Sequence, residues 1–572
     1  MEIRIFCPGR DEPGAEEKEK EQETEDSLPV VMWAGNFSNR MFRAGRVLMG
    51  IYLNPGNEGF CSALKSQIYV DKTQLLEYTN SVLDSEQRYL CVSRPRRFGK
   101  SITAEMLVAY YDKSCDSSEL FSKCRIASNE HFREHLNQYD VVHLDINSFR
   151  NAVESEESAV SRLQASVIME LRQYYPECIP EDIVTLQSAL AEINKLRGIR
   201  FVIIIDEWDA IFRECRDDDR HQIEYIHFLR GLFKDAPSKK FIRLAYLTGI
   251  LPIKKYGTES ALNNFDEFTM LETDVLAEYV GFTESEAKRL YENYGMDFQQ
   301  AKQWYDGYVV GNGTHIYNPK SVVDSIRRKR IGNYWTNTET YESLKKYISM
   351  NFDGLKDAVI QMLAGVPCKV NPAKFQNDLT SFKSRDDILT LLVHLGYLTY
   401  DREVQTVRIP NEEVKMEFVN AVEDAGWDSV VKAIHASDQL LEATWRMDTG
   451  AVEEGILAVH TANTSILNFN DENSLSCVIT LAYYNAVKDY ILVREMPAGK
   501  GYADIVFLPK KHSDKPAMIV ELKWNRSVKG AVTQMKEKGY IQALEGYEGK
   551  VLLVGINYAK KTKKYKCHIE YM

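Results

Sequence analysis

The run Ser93-Arg94-Pro95-Arg96-Arg97-Phe98-Gly99-Lys100-Ser101 sets a Gly-Lys-Ser triplet between an apolar stretch, Tyr89-Leu90-Cys91-Val92, and an apolar-periodic one, Ile102 to Tyr111. A strand that turns into a helix at such a triplet can cradle phosphate. Backbone N–H groups and the helix N-terminus face the anion, Lys100 reaches the outer phosphate oxygens, and Ser101 ligates Mg²⁺. The complete pattern has glycine where this chain has Arg94, so three arginines are expected beside a triphosphate. The second half of such a site lies at Phe201-Val202-Ile203-Ile204-Ile205, a run typical of a buried parallel strand, which ends in Asp206-Glu207-Trp208-Asp209. There Asp206 can hold the Mg²⁺ shell and Glu207 can polarise an attacking water. A third strand, Phe241 to Leu247, ends in Thr248-Gly249, where Thr248 is either a γ-phosphate sensor or a plain strand-end threonine. The cofactors implied are ATP and Mg²⁺, with Arg96, Arg97, Gly99, Lys100, Ser101, Asp206 and Thr248 around the nucleotide.

A second set of charges near the C-terminus has its own logic. Tyr502 to Leu508 reads as a strand, Pro509 to Pro516 as a turn, and Ala517 to Lys523 as the return strand. Side chains two apart share a strand face, so Glu521 and Lys523 point the same way, and a hairpin can bring Asp504 onto that face. Two carboxylates can bind Mg²⁺ that activates water, while the lysine orients or polarises the nucleophile.

The elements that position these groups follow from composition and pattern. The chain has 572 residues, 44% hydrophobic and 27% charged, the balance of a soluble globular protein with several domains. No apolar run suffices for a membrane span, and no secretory signal is visible, so a cytoplasmic location is expected. Its ten cysteines lack paired spacing and read as reduced thiols. His131 and His135, four apart on an expected helix, read as a solvated face. The net charge of -12 is uneven: residues 495–572 hold 15 Lys and Arg against 8 Asp and Glu, leaving +7 there and -19 elsewhere. Only that module has the electrostatic footprint of a nucleic-acid partner.

Five blocks are expected. Residues 1–48 form a disordered acidic extension, with Met49 as a natural start. Residues 49–265 alternate strands and helices, as a parallel sheet requires; His143 there reads as a core histidine. Residues 266–350 form a helical lid, opened by a capping box at Thr283-Glu284-Ser285-Glu286. Its aromatic run, Trp304 to Tyr308, reads as core rather than a base-stacking platform. Residues 351–465 are a helical, winged-helix-like region with a hairpin at Gly396–Tyr400 and Thr406–Pro410, and residues 466–572 hold the C-terminal hairpin.

The set Tyr69-Val70-Asp71-Lys72-Thr73, Arg94 to Ser101, Asp206-Glu207-Trp208-Asp209, Leu247-Thr248-Gly249-Ile250, Leu262-Asn263-Asn264 and Trp304-Tyr305-Asp306-Gly307-Tyr308 resembles the AAA-ATPase-like family of prokaryotic proteins. The resemblance runs from about residue 49 to the C-terminus. It makes Arg94 a family trait, while Trp208 stands where the family more often has Tyr. It implies an α/β architecture: a P-loop NTPase parallel sheet with a helical lid, then a C-terminal restriction-endonuclease-like domain of the PD-(D/E)XK superfamily. By that resemblance Glu472 matches an additional acidic metal ligand, and Gln534 and Tyr540 match accessory positions. The implied metal ligands are Ser101 and Asp206 in one site and Glu472, Asp504 and Glu521 in the other, with Glu207, Asp504, Glu521 and Lys523 as the reacting groups.

The resulting expectation is an ATPase that gates a Mg²⁺-dependent nuclease, in defence against foreign DNA or in mobile-element biology. The alternative is a signalling or scaffold ATPase whose nuclease-like domain binds nucleic acid or protein without cleaving. The expected partner is nucleic acid, DNA ahead of RNA, with no membrane and with a homo-oligomer left open.

Overall fold

The computed structural model describes residues 3–5, 50–151, 158–214, 219–253, 255–256, 259–260, 262–311, 313–335, 340–350, 352, 354–363, 365–375, 382–425, 427–462, 472–498, 501–510, 513–537, 544, 547 and 549–572. They divide into two compact units. One is Met1–Tyr334 with Pro372–Lys383 and Thr390–Tyr400; the other is Trp335–Asn371 with Ser384–Leu389 and Asp401–Met572. The 351–465 region is therefore shared between them. Its short strands, Thr399–Asp401 and Thr406–Arg408, fall where the hairpin was expected.

The first unit is built on β1 (Tyr89–Ser93), β2 (Asp140–Asp145), β3 (Phe201–Asp206), β4 (Ile242–Gly249) and β5 (Asp266–Phe268). They form a parallel sheet in the order β2-β3-β4-β1-β5. Phe201–Ile205 is fully buried, as a strand covered on both faces requires. Cys91, Ile203, Ile205 and Leu247 share a core with Leu163, Val167 and Leu171 of α2 (Ala159–Tyr174). Helix α1 (Lys100–Tyr111) packs on β2, β3 and β4. The pairs Val92↔Thr248 and Asp145↔Asp206 align the strand C-terminal ends, so the loops after β1, β3 and β4 open on one edge.

Two ties complete this unit. Glu170 on α2 accepts the N–H groups of Ile51 (2.9 Å), Tyr52 (2.9 Å) and Leu53 (3.0 Å), bracketing that segment against the helix. Of residues 1–48, Ile3–Ile5 is described and pairs antiparallel with Ile68–Val70; the rest lies outside the described residues. The other tie is the Tyr69–Thr73 segment. Asp71 accepts from Thr73 N (2.9 Å) and Arg125 N (2.7 Å), and Lys72 Nζ meets Glu286 at 2.5 Å and Glu278 O at 2.6 Å. Burial pushes the Lys72 ammonium pKa down, and Glu286 opposes that shift.

Residues 266–350 are less purely helical than expected. Beside α3 (Glu284–Asn293) and α4 (Phe298–Tyr305) lies an antiparallel sheet of β6 (Phe282–Thr283), β7 (Tyr308–Val310) and β8 (Thr314–Tyr317), in the order β6-β8-β7. The capping box is present: the Thr283 side chain accepts Glu286 N, and the Glu286 carboxylate accepts Thr283 N. Tyr305 and Tyr308 are buried core residues. The expected helix around His131 is a run of turns; His131 meets Glu134 at 2.7 Å and His135 meets Tyr139 at 2.5 Å.

The second unit ends in a mixed sheet of β9 (Tyr490–Ala498), β10 (Gly501–Pro509), β11 (Ala517–Trp524), β12 (Val551–Ala559) and β13 (Lys564–Tyr571), in chain order. Only β11 and β12 run parallel, because helix α5 (Val528–Glu537) carries the chain back between them. Gly555 on β12 lies under α5, where an added Cβ would stand 2.9 Å from Val528 O, so the helix sits down onto the sheet. Among the described residues no helix is long and apolar enough to cross a membrane.

Replacing Glu170 with alanine leaves three backbone donors without their carboxylate. The expected result is a loss of about 2 kcal/mol, read as an earlier denaturant midpoint. An unchanged midpoint would show that the bracket contributes nothing.

Candidate functional site

Gly99 is the residue before α1 and has φ 92°, a left-handed conformation that glycine adopts without a Cβ penalty. That turn sets Lys100 at the first helical position. Its side chain is buried, donates to Pro95 O at 3.2 Å and lies 3.8 Å from Glu207 Oε1. Burial lowers the Lys100 pKa, and Glu207, Asp206 and Asp209 oppose the shift. The next residue, Ser101, hydrogen-bonds the Asp206 carboxylate. Asp206 also accepts Glu207 N at 2.9 Å. Burial pushes the Asp206 carboxyl up to about 6 despite Ser101 and Lys100, with Glu207 adding to the rise. A hydroxyl and a buried carboxylate of this kind fit a cation.

Glu207 takes φ 51° at the β3 end. Its second oxygen is paired with Arg213, whose Nε meets Asp209 Oδ2 at 3.0 Å. Asp209 is fully buried and also accepts Ile250 N (3.2 Å) and Leu251 N (2.9 Å), so the loop after β4 is fixed to the same carboxylate. Arg213 was not foreseen. Its four-residue spacing from Asp209 on a short helix, Ala210–Glu214, was the available signal. Thr248 follows the Ile205↔Leu247 pair on β4, as Asp206 does on β3. It is fully buried, and among the described residues its hydroxyl has no hydrogen-bond partner.

The arginines do not cluster as expected. Arg94 is buried, and its guanidinium donates to Ser93 O (2.9 Å), Phe268 O (2.9 Å) and Leu276 O (3.4 Å). It stitches the β5 end to the loop, and burial lowers its pKa to about 10. The expectation of three arginines beside a triphosphate is thus corrected at Arg94, whose charge is spent on carbonyls. Arg97, at φ 71°, donates to Tyr334 O at 3.2 Å, and Arg96 is half-buried. Phe98 is buried edge-on to Tyr308, 5.5 Å between ring centroids.

In the second unit, Ile505↔Val520 sets the β10–β11 register and places Asp504 opposite Glu521 on one face. Asp504 accepts Leu522 N at 2.6 Å. Glu521 is buried, and its Oε1 accepts Lys523 Nζ at 2.7 Å and Gln534 Nε2 at 2.6 Å, the latter from α5. The structure therefore brings Asp504, Glu521, Lys523 and Gln534 together. Two facing carboxylates with an attached lysine suit a divalent cation. Glu472 heads the helix Glu472–Ala482, but its side chain and Tyr540 lie outside the described residues.

These geometries define a P-loop nucleotide-binding core in one unit and a nuclease-like α/β domain in the other. Residues 63–258 match the model of a predicted AAA-ATPase, and residues 470–568 match that of the PD-(D/E)XK nuclease superfamily. The first unit thus carries an AAA-ATPase-like segment, and the C-terminal part of the second is a PD-(D/E)XK nuclease-superfamily domain. A comparison with curated proteins returned no match. Among solved structures it is similar to the ORC2 protein of Aeropyrum pernix in ADPNP-ADP complexes, at 10% identity and TM-score 0.28, over 62% of this chain and 91% of that one. It is also similar to CDC6P from Pyrobaculum aerophilum, at 11% identity and TM-score 0.22, over 62% and 93%. AMPPCP-bound DnaA from Aquifex aeolicus aligns at 9% identity and TM-score 0.23, over 62% and 86%. Likenesses this distant carry no argument.

Two outcomes follow from the geometry. Arg94→Gly completes the glycine pattern yet removes the guanidinium donations to Ser93 O, Phe268 O and Leu276 O, so it should destabilise the first unit by about 2–4 kcal/mol rather than improve it. An unchanged denaturation midpoint would remove the stitching role. For Asp206 the folded pKa is raised, so its contribution to stability is present below the ordinary 3.8 and lost as pH rises through about 6. Above that, the buried charge costs on the order of 2–3 kcal/mol. Asp206→Asn should therefore raise the melting temperature at pH 8, with the gain fading as pH falls through 6; a pH-independent difference would refute the assignment.

Proposed function

We propose that the chain binds and hydrolyses ATP with Mg²⁺ in its first unit and cleaves nucleic acid with Mg²⁺ in its second, the nucleotide state gating the cut. The observation that carries the first half is the pairing of Lys100 with Glu207 across the β1 and β3 ends. In this reading Lys100 leaves the Pro95 carbonyl for the phosphates, which frees one Glu207 oxygen to orient water. Arg213 retains the other oxygen and holds the carboxylate in place. Ser101 and Asp206 hold the metal, whose role is to neutralise phosphate charge. The loop N–H groups after Gly99 cradle the phosphates, with Arg96 and Arg97 beside them, and the Thr248 hydroxyl, without a partner among the described residues, is a donor suited to sensing them.

For the second half, Asp504 and Glu521 hold the cation, with Glu472 as a further ligand, and Lys523 orients the attacking water. The metal supplies a polarised nucleophile and charge neutralisation. The positive balance of residues 495–572 favours a polyanionic partner, DNA ahead of RNA. Defence against foreign DNA or mobile-element biology is the setting such a gated nuclease suits.

The test is a substrate panel of single- and double-stranded DNA and RNA, with Mg²⁺ or Mn²⁺, with and without ATP. Lys100→Ala should abolish nucleotide binding, and Glu207→Gln should retain ATP while hydrolysis falls at least 100-fold, in keeping with about 10²–10⁴ for loss of a general base. Asp504→Ala and Lys523→Ala should end cleavage with ATPase activity intact. Cleavage undiminished in these two variants refutes the nuclease site, and ATP-independent cutting refutes the gating.

A further inference from the structure

The turn between β12 and β13 places lysines at the edge that carries the nuclease-like charges. Lys560-Lys561-Thr562-Lys563 connects the strands and Lys564 opens β13, with no carboxylate until Glu570. Lys560, Lys561, Lys563 and Lys564 are all exposed. Among the described residues no carboxylate pairs with Lys561, Lys563 or Lys564, whereas nearby Lys566 meets Glu453 at 3.2 Å and Lys536 meets Glu570.

The turn is held, not merely exposed. Lys563 takes φ 53° and donates its N–H to Ala559 O at 2.8 Å, which closes the loop. Lys560 N donates to Asn525 Oδ1 at 2.8 Å, Asn525 N donates to Tyr558 O at 2.9 Å, and Arg526 N donates to Asn557 Oδ1 at 2.8 Å. Because β11 and β12 are parallel, with Lys523↔Asn557 and Trp524↔Tyr558 in register, the basic turn lies beyond the same strand ends as Lys523. From Glu521 to Asn525 is four residues of strand, about 13 Å at roughly 3.3 Å each. That is about four nucleotide steps, at roughly 3.4 Å of duplex axis per phosphate of one strand.

We infer that the Lys560–Lys564 turn is a phosphate-backbone clamp that holds nucleic acid a few nucleotides from the Asp504–Glu521 pair. The inference rests on the nuclease reading above and adds the surface that receives the substrate. The ammonium groups of Lys561, Lys563 and Lys564 on a pinned turn suit a repeating polyanion, whose phosphates recur at a fixed spacing and are read without regard to base. Lysines that only kept the surface hydrated would not need the Asn525 and Asn557 ties.

The experiment uses the full chain carrying Asp504→Ala, so that the probe stays intact, with and without Lys561→Gln, Lys563→Gln and Lys564→Gln together. Anisotropy of short fluorescein-labelled single-stranded and duplex DNA is followed across a salt series. The slope of log K against log salt is about 0.9 per phosphate contact on duplex and about 0.7 on single strands. The clamp predicts a slope shallower by about 2 to 3 in the triple variant, and by up to about one unit in each single variant, with melting temperature unchanged. Equal slopes and affinities with and without the lysines overturn the clamp while leaving the nuclease reading standing. Absence of nucleic-acid binding by the Asp504→Ala chain with its lysines intact overturns both.

Discussion

A buried ammonium must be answered by negative charge, and Lys100 imposes that demand on the edge of the parallel sheet. At 5% exposure it has lost most of its hydration, and three carboxylates, on Asp206, Glu207 and Asp209, are gathered around it. They in turn require Arg213 and the N–H groups of Ile250 and Leu251. The ends of β1, β3 and β4 are thus bound into one charge network before any ligand arrives. On the proposed reading a phosphate entering it would replace one set of anions with another, so the cost of desolvating the lysine is met during folding and not again at binding.

The nuclease-like site solves the opposite problem with fewer parts. Here negative charge is concentrated, and Lys523 and Gln534 both donate to Glu521 Oε1. Asp504 bends its carboxylate to the Leu522 N–H, so the acids lie on adjacent strands with separate hydrogen bonds holding each. A cation placed between them would find oxygens already oriented by backbone and by α5. The close seat of α5 on Gly555 is what lets Gln534 reach that far.

What could be read from the residues in advance depended on how local the cause was. The strand ending in Asp206 and the hairpin carrying Asp504, Glu521 and Lys523 are set by periodicity over a few residues, and the capping box by four. The small sheet of Phe282–Thr283, Tyr308–Val310 and Thr314–Tyr317 was not legible, because strands this short have too little alternation to stand out among aromatics. Arg94 was misplaced for a different reason. Its partners, Phe268 O and Leu276 O, are more than 170 residues away, and nothing within the loop announces carbonyls needing donors. Arg213 lay between these cases, visible as a spacing from Asp209 but meaningful only once the strand end was known to be buried.

Phe98 is the quiet member of the phosphate-binding loop, yet its ring is wedged edge-on against Tyr308, and its neighbour Arg97 holds the Tyr334 carbonyl. The loop therefore has two grips on residues far along the chain. Any change of its shape must be transmitted as a pull on those grips, or break them. A shift of the glycine turn would therefore be felt at Tyr308, through an aromatic edge that compresses little. The first unit is in that sense a lever whose short arm is a single phenylalanine.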